Sequence, residues 1–330
     1  DAGLIVGATP RARVAANRVT AGARLREAAS EKKRLDHVGG EGADDTLQAE
    51  RPALADSLDH EEEYLRRVVA GEVNLVLYQR EANRVVEMVG NLGPDTTTVI
   101  TYVPGTFTRM ESFYSEEAQK VAQWLTRQGD DTVALVWKGA DFPGDNAGPG
   151  VADQLRGLLE ANEDDRADST GSALARFEAG LQTEPGVRGK KAIGVGYSFG
   201  LVPVTASENA GAHYDQVHSL AGGYVAKGWQ PAEGTDYQHW SYTDFLSEAQ
   251  DADLVGGGRY PRRLPGFECH TFPRPGDFTL PIGVFLAPEG LPIGPDVHLT
   301  TTPGENHVLI ASDDPENLGV LQLIWEAITR

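Results

Sequence analysis

The chain has 330 residues, of which 40% are hydrophobic and 24% charged, a composition that provides a packed core and excludes global disorder. Its 49 acidic residues outnumber its 29 basic ones, which gives a formal net charge of −20 and makes nucleic acid and anionic membranes poor partners. The single cysteine, Cys269, excludes an intrachain disulfide and a thiolate zinc cage. No apolar run approaches the roughly 20 residues that a membrane-spanning helix needs.

The sequence leaves the compartment open and points to no cofactor. Because the chain begins at Asp1 rather than Met, we expect either a cytoplasmic protein or an exported one whose signal peptide has been removed. No phosphate-binding loop, dinucleotide-binding loop or H-E-x-x-H zinc motif occurs in the required context. The acidic cluster from Glu163 to Asp168 lacks the glycine and the final glutamate of a calcium-binding loop. We therefore predict no metal and no cofactor, and the sequence gives no indication of the oligomeric state.

The first 72 residues are predicted to form a helical extension. From Arg11 to His37 the chain is rich in Ala, Arg and Glu, with apolar residues spaced like one helix face. A second helix is predicted from about Thr46 to Ala70, either interrupted or started near Pro52. The simplest interpretation is a helical cap on the rest of the chain, and the alternative is a helical hairpin that binds a partner.

From Val73 onward, short β-branched runs alternate with helical stretches. This alternation predicts a mostly parallel sheet covered on both faces by helices. The first two runs are joined by Ala82-Asn83 and predict a hairpin, which would add an antiparallel edge to that sheet. Helices are predicted at Met110 to Gln128, Val151 to Glu160, Arg166 to Gln182 and the C-terminus. Further strands are predicted at TTTVITYVPG, DTVALVWKG, KKAIGVGYS, QVHSLAGG, YQHWSYTD and DVHLTTTPG.

One long segment, about residues 245–295, shows little periodicity and contains many Gly and Pro. A structureless insert of this length usually covers a site or is mobile, so we interpret it as a lid or a pocket wall. The run PIGVFL, from Pro281 to Leu286, is the alternative within it, because it also reads as an extra strand.

The strongest chemical signal is the G-x-S-x-G pattern from Gly196 to Gly200, with Ser198 at its centre. A buried strand precedes the serine and an apolar, helical run follows it. Such a strand-to-helix turn holds the serine in a strained conformation and presents its oxygen at the C-terminal edge of the sheet. Ser198 is therefore the candidate nucleophile.

A serine hydroxyl needs a general base, and in this pattern the order along the chain is Ser, then Asp or Glu, then His. His307 fits best, because it follows a strand in a turn-rich loop and precedes the last helix. The other histidines after Ser198 lie near the nucleophile helix, within strands or in the irregular segment; they are His213, His218, His239, His270 and His298. For the acid we favour Asp244, which ends YQHWSYTD, with Glu289 after PIGVFLAP as the rival.

The anion formed during acyl transfer needs backbone N–H donors. One donor is predicted at Phe199, directly after the nucleophile, and the other at Thr106 or Phe107, in the loop after TTTVITYVPG. Aromatic residues near these motifs suggest an apolar acyl pocket, to which we assign Tyr197, Trp137 and Phe245, although aromatics at strand ends more often serve packing alone.

The runs VITYVPGTFT, VALVWKGADFP, VGYSFG and VHSLAGG, with a late histidine before a terminal helix, carry a resemblance to a known family. The chain resembles the α/β-hydrolase domains of high-GC Gram-positive bacteria that carry VPG-x-x-T, W-x-G-Y-D-A-P and GHSYGS motifs, over roughly Val73 to Arg330. The resemblance implies an α/β-hydrolase fold and supports Ser198, Asp244 and His307 as a triad. The chain departs from that pattern at Tyr197, Leu201, Lys138 and Ala140, which bears on the substrate more than on the triad.

Together these observations predict a serine hydrolase of the esterase or lipase type, acting on a small ester or lipid. Two alternatives remain at this point. One is a binding or effector module that keeps the fold without turnover, and the other is a peptidase or acyltransferase that uses the same triad.

Overall fold

The computed structural model describes residues 8–38, 45–145, 160–161, 163–243, 258–273, 278–281, 296–299 and 303–330; within these ranges, the side chains of 36–38, 45–50, 278–281, 296–299 and 303–305 are not described. The helices in these ranges are α1 (Pro10–Val38), α2 (Asp45–Ala70), α3 (Met110–Tyr114), α4 (Lys120–Thr126), α5 (Asp164–Leu181), α6 (Leu201–Asn209), α7 (Pro303–Leu309) and α8 (Leu318–Ile328). The strands are β1 (Asn74–Gln79), β2 (Arg84–Val89), β3 (Thr98–Val103), β4 (Thr132–Lys138), β5 (Lys191–Tyr197), β6 (Gln216–Leu220), β7 (Asp236–Tyr242), β8 (Phe267–Phe272), β9 (Phe278–Pro281) and β10 (Asp296–Leu299).

Eight strands form the central sheet in the order β1-β2-β4-β3-β5-β6-β7-β8. The pairings of β1 with β2 and of β2 with β4 are antiparallel, and all the others in this sheet are parallel. The prediction of a mostly parallel sheet with a hairpin at one edge is therefore confirmed. The strand β5, which leads into Ser198, lies in the middle of the parallel part.

Two apolar layers cover the two faces of the sheet. Alternate residues of β3 show the division: Ile100 and Tyr102 pack into one core with residues of α2, α4 and α8, whereas Val99 and Val103 pack into the other with residues of α5 and α6. This is the period of two that a strand buried on both faces requires.

The edge strand β8 corrects the prediction of an irregular segment over residues 245–295. Residues Phe267–Phe272 pair in parallel with β7, residue for residue from Tyr237 to Tyr242. No residue of β8 is fully buried, because an edge strand has a neighbouring strand on one side only. Its apolar signal is correspondingly weak, and Gly and Pro on both sides of it obscured the strand in the sequence.

Three further predictions are corrected in detail. The helix expected from Met110 to Gln128 is two short helices, separated by a turn in which Glu116 has a positive φ of 62° that an α-helix excludes. The helix α2 begins at Asp45 and runs through Pro52 without interruption. The run DVHL does form a strand, but β10 pairs with β9 in a separate two-stranded sheet.

The N-terminal extension packs on the sheet through buried polar contacts as well as apolar ones. Asn17 of α1 donates to the carbonyl oxygen of Leu75 over 3.1 Å. Arg24 of α1 binds both carboxylate oxygens of Glu61 on α2, over 2.8 and 2.9 Å, and also binds Glu31. Among the described helices, none is long and apolar enough to cross a bilayer.

Candidate active site

The turn between β5 and α6 holds Ser198 in a strained conformation. Ser198 has a φ of +53°, in the left-handed region that residues with a Cβ rarely adopt. The three residues Ser198–Gly200 form a single 3-10 turn, and α6 starts directly after it at Leu201. The N–H of Gly223 donates to the carbonyl oxygen of Ser198 over 3.1 Å and ties this turn to the segment after β6.

The glycines of the motif are required by the close approach of neighbouring backbone. A Cβ at Gly196 would lie 2.5 Å from the Cα of Leu201, and a Cβ at Gly200 would lie 2.0 Å from the carbonyl oxygen of Val103. Gly105, in the loop after β3, approaches the serine itself, because a Cβ there would lie 3.0 Å from the Cβ of Ser198. The strand β5, the helix α6 and the loop after β3 therefore meet at the serine.

A serine on a sharp turn after a central strand of a mostly parallel, helix-covered sheet is the arrangement of the α/β-hydrolase fold. The strand order and this turn together give the chain that fold, with an N-terminal helical extension, as the motifs predict.

The structure brings His307 to Ser198 although 109 residues separate them. The Nε2 atom of His307, on α7, lies 2.9 Å from the Oγ atom of Ser198, within hydrogen-bond distance. Both residues are half-buried. The ring of Tyr197 lies beside the imidazole, with the two centroids 5.4 Å apart and the planes at 34°.

Asn306, the neighbour of His307, joins the histidine loop to the end of β7. Its Nδ2 atom donates to the carbonyl oxygen of Thr243 over 2.7 Å, and the residue is 1% exposed. No motif in the sequence points to Asn306. This hydrogen bond places Thr243, the residue directly after β7, beside the histidine loop. Asp244 and Phe245, which follow Thr243, and Glu289 lie outside the described residues.

The loop after β3 carries the predicted anion-binding donors. The N–H of Phe107 donates to the carbonyl oxygen of Pro143 over 3.0 Å, and Phe107 has a positive φ of 66°. This donor is therefore already engaged in the described structure, which leaves Thr106 as the better of the two candidates. Phe199 is buried and packs its ring edge-on against Phe142, with the centroids 5.7 Å apart.

Trp137 belongs to the core and not to an open pocket. It is 1% exposed and packs between Phe142 and Phe177, with ring centroids 6.2 and 6.5 Å away. A side chain that shows so little surface has none to offer a ligand. The pocket assignment made from its position at the end of a strand is thus not supported. Of the two predicted aromatics that the structure describes, Tyr197 lies beside the imidazole.

Four of the other histidines have surroundings of their own. His213 is exposed, and burial lowers the pKa of His218 to about 3. The Nδ1 atom of His239 lies 2.8 Å from the Oγ atom of Ser219, but both residues are buried. His270 stacks on Trp240 with centroids 4.1 Å apart and interacts with Gln238. His218, His239 and His270 are each accounted for by packing or by a local hydrogen bond, and His213 is exposed on the surface, whereas His307 meets the strained serine.

No family model matches the chain, and no curated protein matches it. Three solved structures illustrate what it is similar to. A dienelactone hydrolase from Anabaena variabilis is 13% identical, with a TM-score of 0.42 over 77% of this chain and 96% of that one. A dienelactone hydrolase-like promiscuous phosphotriesterase from metagenomic libraries is 14% identical, with a TM-score of 0.42 over 76% and 95%. A carboxylesterase from Mesorhizobium loti is 14% identical, with a TM-score of 0.40 over 75% and 97%.

Proposed function

We propose that this protein is a serine hydrolase that cleaves carboxylic esters through an acyl-enzyme. The observation that carries the proposal is the 2.9 Å contact between the Ser198 Oγ and the His307 Nε2 at a strained turn. Hydrogen-bond distance between a nucleophile and its base is the geometric requirement for nucleophilic catalysis. The particular GHSYGS-type family suggested by the motifs remains a prediction.

In the proposed reaction, the Ser198 Oγ attacks the carbonyl carbon of the ester while its proton passes to the Nε2 of His307. The carbonyl oxygen becomes an anion, which the N–H groups of Phe199 and Thr106 stabilise. Collapse of this intermediate breaks the bond to the leaving alkoxide, which takes the proton from His307. Water then gives its proton to His307 and attacks the acyl-enzyme, and the acid is released as the serine is restored.

Asp244 is the proposed acid that orients the imidazole. The hydrogen bond that its neighbour Thr243 accepts from Asn306, next to His307 in the chain, supports this assignment. Glu289 remains the rival, since nothing in the described structure bears on it. Measurement of kcat distinguishes the two candidate acids. If Asp244 orients the imidazole, Asp244→Asn should lower kcat by about 10⁴-fold and Glu289→Gln should leave kcat unchanged.

The test of the proposal is turnover and covalent labelling. Wild-type protein is expected to hydrolyse short p-nitrophenyl esters and to react with a fluorophosphonate at Ser198, whereas Ser198→Ala and His307→Gln should lose at least about a thousandfold in kcat. The chain supplies a matched control in its buried Ser219–His239 pair, whose atoms are 2.8 Å apart. Ser219→Ala removes an equivalent serine–histidine contact and should retain wild-type turnover.

Two results would reject the esterase. Folded protein that neither turns over esters nor labels at Ser198 would favour the non-catalytic binding module. Equal ester hydrolysis by wild type and Ser198→Ala would show that the turnover comes from elsewhere. Labelling of Ser198 with cleavage of peptide amides, or acyl transfer to an added alcohol in preference to water, would instead favour the peptidase or the acyltransferase.

A further inference from the structure

The buried ion pair between Lys138 and Asp145 includes none of the proposed catalytic residues. Lys138 ends β4, and its side chain is fully buried, while that of Asp145 is 10% exposed. The Nζ atom lies 3.0 Å from the Asp145 Oδ2, 2.6 Å from the carbonyl oxygen of Asn83 and 3.5 Å from that of Ala140. Burial lowers the pKa of Lys138 and raises the pKa of Asp145, so each charge is costly to bury.

Burying such a pair is a weak source of stability, because apolar residues of the same volume often do as well. What the pair does provide is a fixed position for two turns. Asp145 also accepts the N–H of Phe142 over 2.8 Å, so the segment 139–145 is folded around the ammonium group. Lys138 in addition holds the hairpin turn at Asn83, whose side-chain oxygen accepts the N–H of Met110 over 3.1 Å.

These two turns bond to the loop after β3 and to the start of the helix that follows it, and the segment 139–145 makes the contacts with the loop. The carbonyl oxygen of Pro143 accepts the N–H of Phe107, and that of Gly144 accepts an N–H of Arg109 over 3.0 Å. Gly144 itself, with a φ of +80°, sits so close that a Cβ would lie 2.2 Å from the ring of Phe107. The left-handed conformation of Phe107 is thus maintained by its surroundings, as strained residues at functional sites generally are.

The same segment also reaches the other proposed anion-binding residue. The ring of Phe142, whose N–H is held by Asp145, packs edge-on against Phe199, with the centroids 5.7 Å apart. The ammonium group of Lys138 lies over the same Phe142 ring, 5.0 Å from its centroid. The ammonium group of Lys138 is therefore connected, through the segment 139–145, to both Phe107 and Phe199.

We propose that Lys138, paired with Asp145, is a positioning residue for the anion-binding site, because it fixes the segment 139–145 against Phe107 on one side and Phe199 on the other. The inference rests on the proposed serine-hydrolase function. It adds that Lys138, in the run VALVWKGADFP, serves the transition state. Loss of the pair should raise the barrier of the chemical step and leave ground-state binding of the ester almost unchanged.

The test measures kcat, KM and hydrogen exchange in the full chain for Lys138→Met, Asp145→Asn and the double variant. Lys138→Met should lower kcat roughly tenfold to a hundredfold with little change in KM, since small displacements of catalytic groups cost this much. Exchange of the amides at 105–107 should become faster while that of β3 stays slow. The double variant should lose no more than Lys138→Met alone, because the two side chains act as one unit.

Arg24→Met is the matched control, because it breaks a buried ion pair of another part of the fold, Arg24–Glu61, which joins α1 to α2. It should lower the unfolding temperature and leave kcat unchanged. A folded Lys138→Met variant with wild-type kcat, or with wild-type exchange at 105–107, would overturn the inference. Failure of the proposed function shows separately, as wild-type protein without turnover or with turnover that survives Ser198→Ala, and the exchange measurement does not depend on turnover.

A second pair of variants keeps the inference testable if Lys138→Met does not fold. Gly144→Ala and Gly189→Ala both place a Cβ on a residue with positive φ, at +80° and +69°. Only the first drives that Cβ into Phe107, since Gly189 has no atom within 4 Å of the added carbon. Gly144→Ala should therefore lower kcat well below that of Gly189→Ala, and equal kcat values would show that this segment does not position the anion-binding loop.

Discussion

Ser198 and its two flanking glycines show how a short motif depends on atoms far away in the sequence. The pattern alone predicts that residues larger than glycine would clash near the serine. The structure identifies the opposing atoms: the Cα of Leu201, the first residue of α6, for Gly196, and the carbonyl oxygen of Val103 on β3 for Gly200. The second neighbour exists only because β3 and β5 pair side by side, with Val103 opposite Gly196.

Gly200→Ala is predicted to damage both stability and activity. The new Cβ would lie 2.0 Å from the Val103 oxygen and 2.7 Å from the Pro104 oxygen, so the turn must move away from the anion-binding loop. We expect a loss of about 1–3 kcal/mol in unfolding free energy, as in other overpacked cores, together with a large fall in kcat. Denaturant unfolding and ester hydrolysis measure the two effects.

Gly180→Ala is the control for that change. Gly180 lies in the last turn of α5 with no atom within 4 Å of an added Cβ. Alanine is the better helix former, so stability should stay the same or rise slightly while kcat is unchanged. If Gly200→Ala were as stable and as active as Gly180→Ala, the close contact with β3 would have no consequence.

At the scale of elements, the N-terminal helix α2 is attached to the sheet through a buried carboxylate. Glu87 of β2 is 6% exposed and accepts hydrogen bonds from the Tyr64 hydroxyl of α2, over 2.9 Å, and from the Gln119 amide, over 2.8 Å. Burial raises the pKa of Glu87 to about 7 despite these donors. The sequence predicts the helix α2 and the strand β2, but it does not predict that a buried carboxylate connects them.

The attachment of α2 is predicted to weaken as the pH rises. The folded-state pKa of Glu87 lies above its ordinary value of 4.5, so its stabilising contribution is complete below about 4.5 and is lost as the pH rises to about 7. The difference between these two pKa values corresponds to roughly 3 kcal/mol of unfolding free energy. Glu87→Gln keeps an acceptor for Tyr64 and removes the buried charge.

Thermal unfolding at a series of pH values measures this effect. Glu87→Gln should unfold at a higher temperature than wild type in mildly alkaline buffer, and the two curves should converge near pH 4.5, below which Glu87 is protonated. A parallel pH dependence in wild type and Glu87→Gln would mean that Glu87 does not titrate between these limits.

At the scale of the whole molecule, the formal net charge of −20 makes electrostatic repulsion a factor in the stability of the fold. Like charges repel one another more strongly in the compact state than in the unfolded chain, and dissolved salt screens this repulsion within about 10 Å at 0.1 M. Exposed ion pairs, such as Lys120 with Glu117, offset this repulsion only weakly, because ion pairs exposed to water contribute little to stability.

The unfolding temperature is therefore predicted to rise when sodium chloride is added to a low-salt buffer. The measurement is thermal unfolding across a salt series at constant pH, with a sucrose series as the control for effects that do not depend on charge. A fall in unfolding temperature with added salt would show that attractive pairs, and not the net charge, dominate the electrostatics of the fold.

The sequence by itself determined the alternation of strands and helices, the serine turn, and His307 as the best-placed base, because these follow from local periodicity, turn chemistry and order along the chain. It could not determine that Phe107 already uses its N–H on Pro143, that Trp137 is enclosed, that β8 completes the sheet edge, or that Lys138 lies behind the loop after β3. Those facts depend on which segments become neighbours in space. Contacts between residues far apart in the chain are decided by packing and by the burial of polar groups, and the pattern of any one segment carries no record of its neighbours.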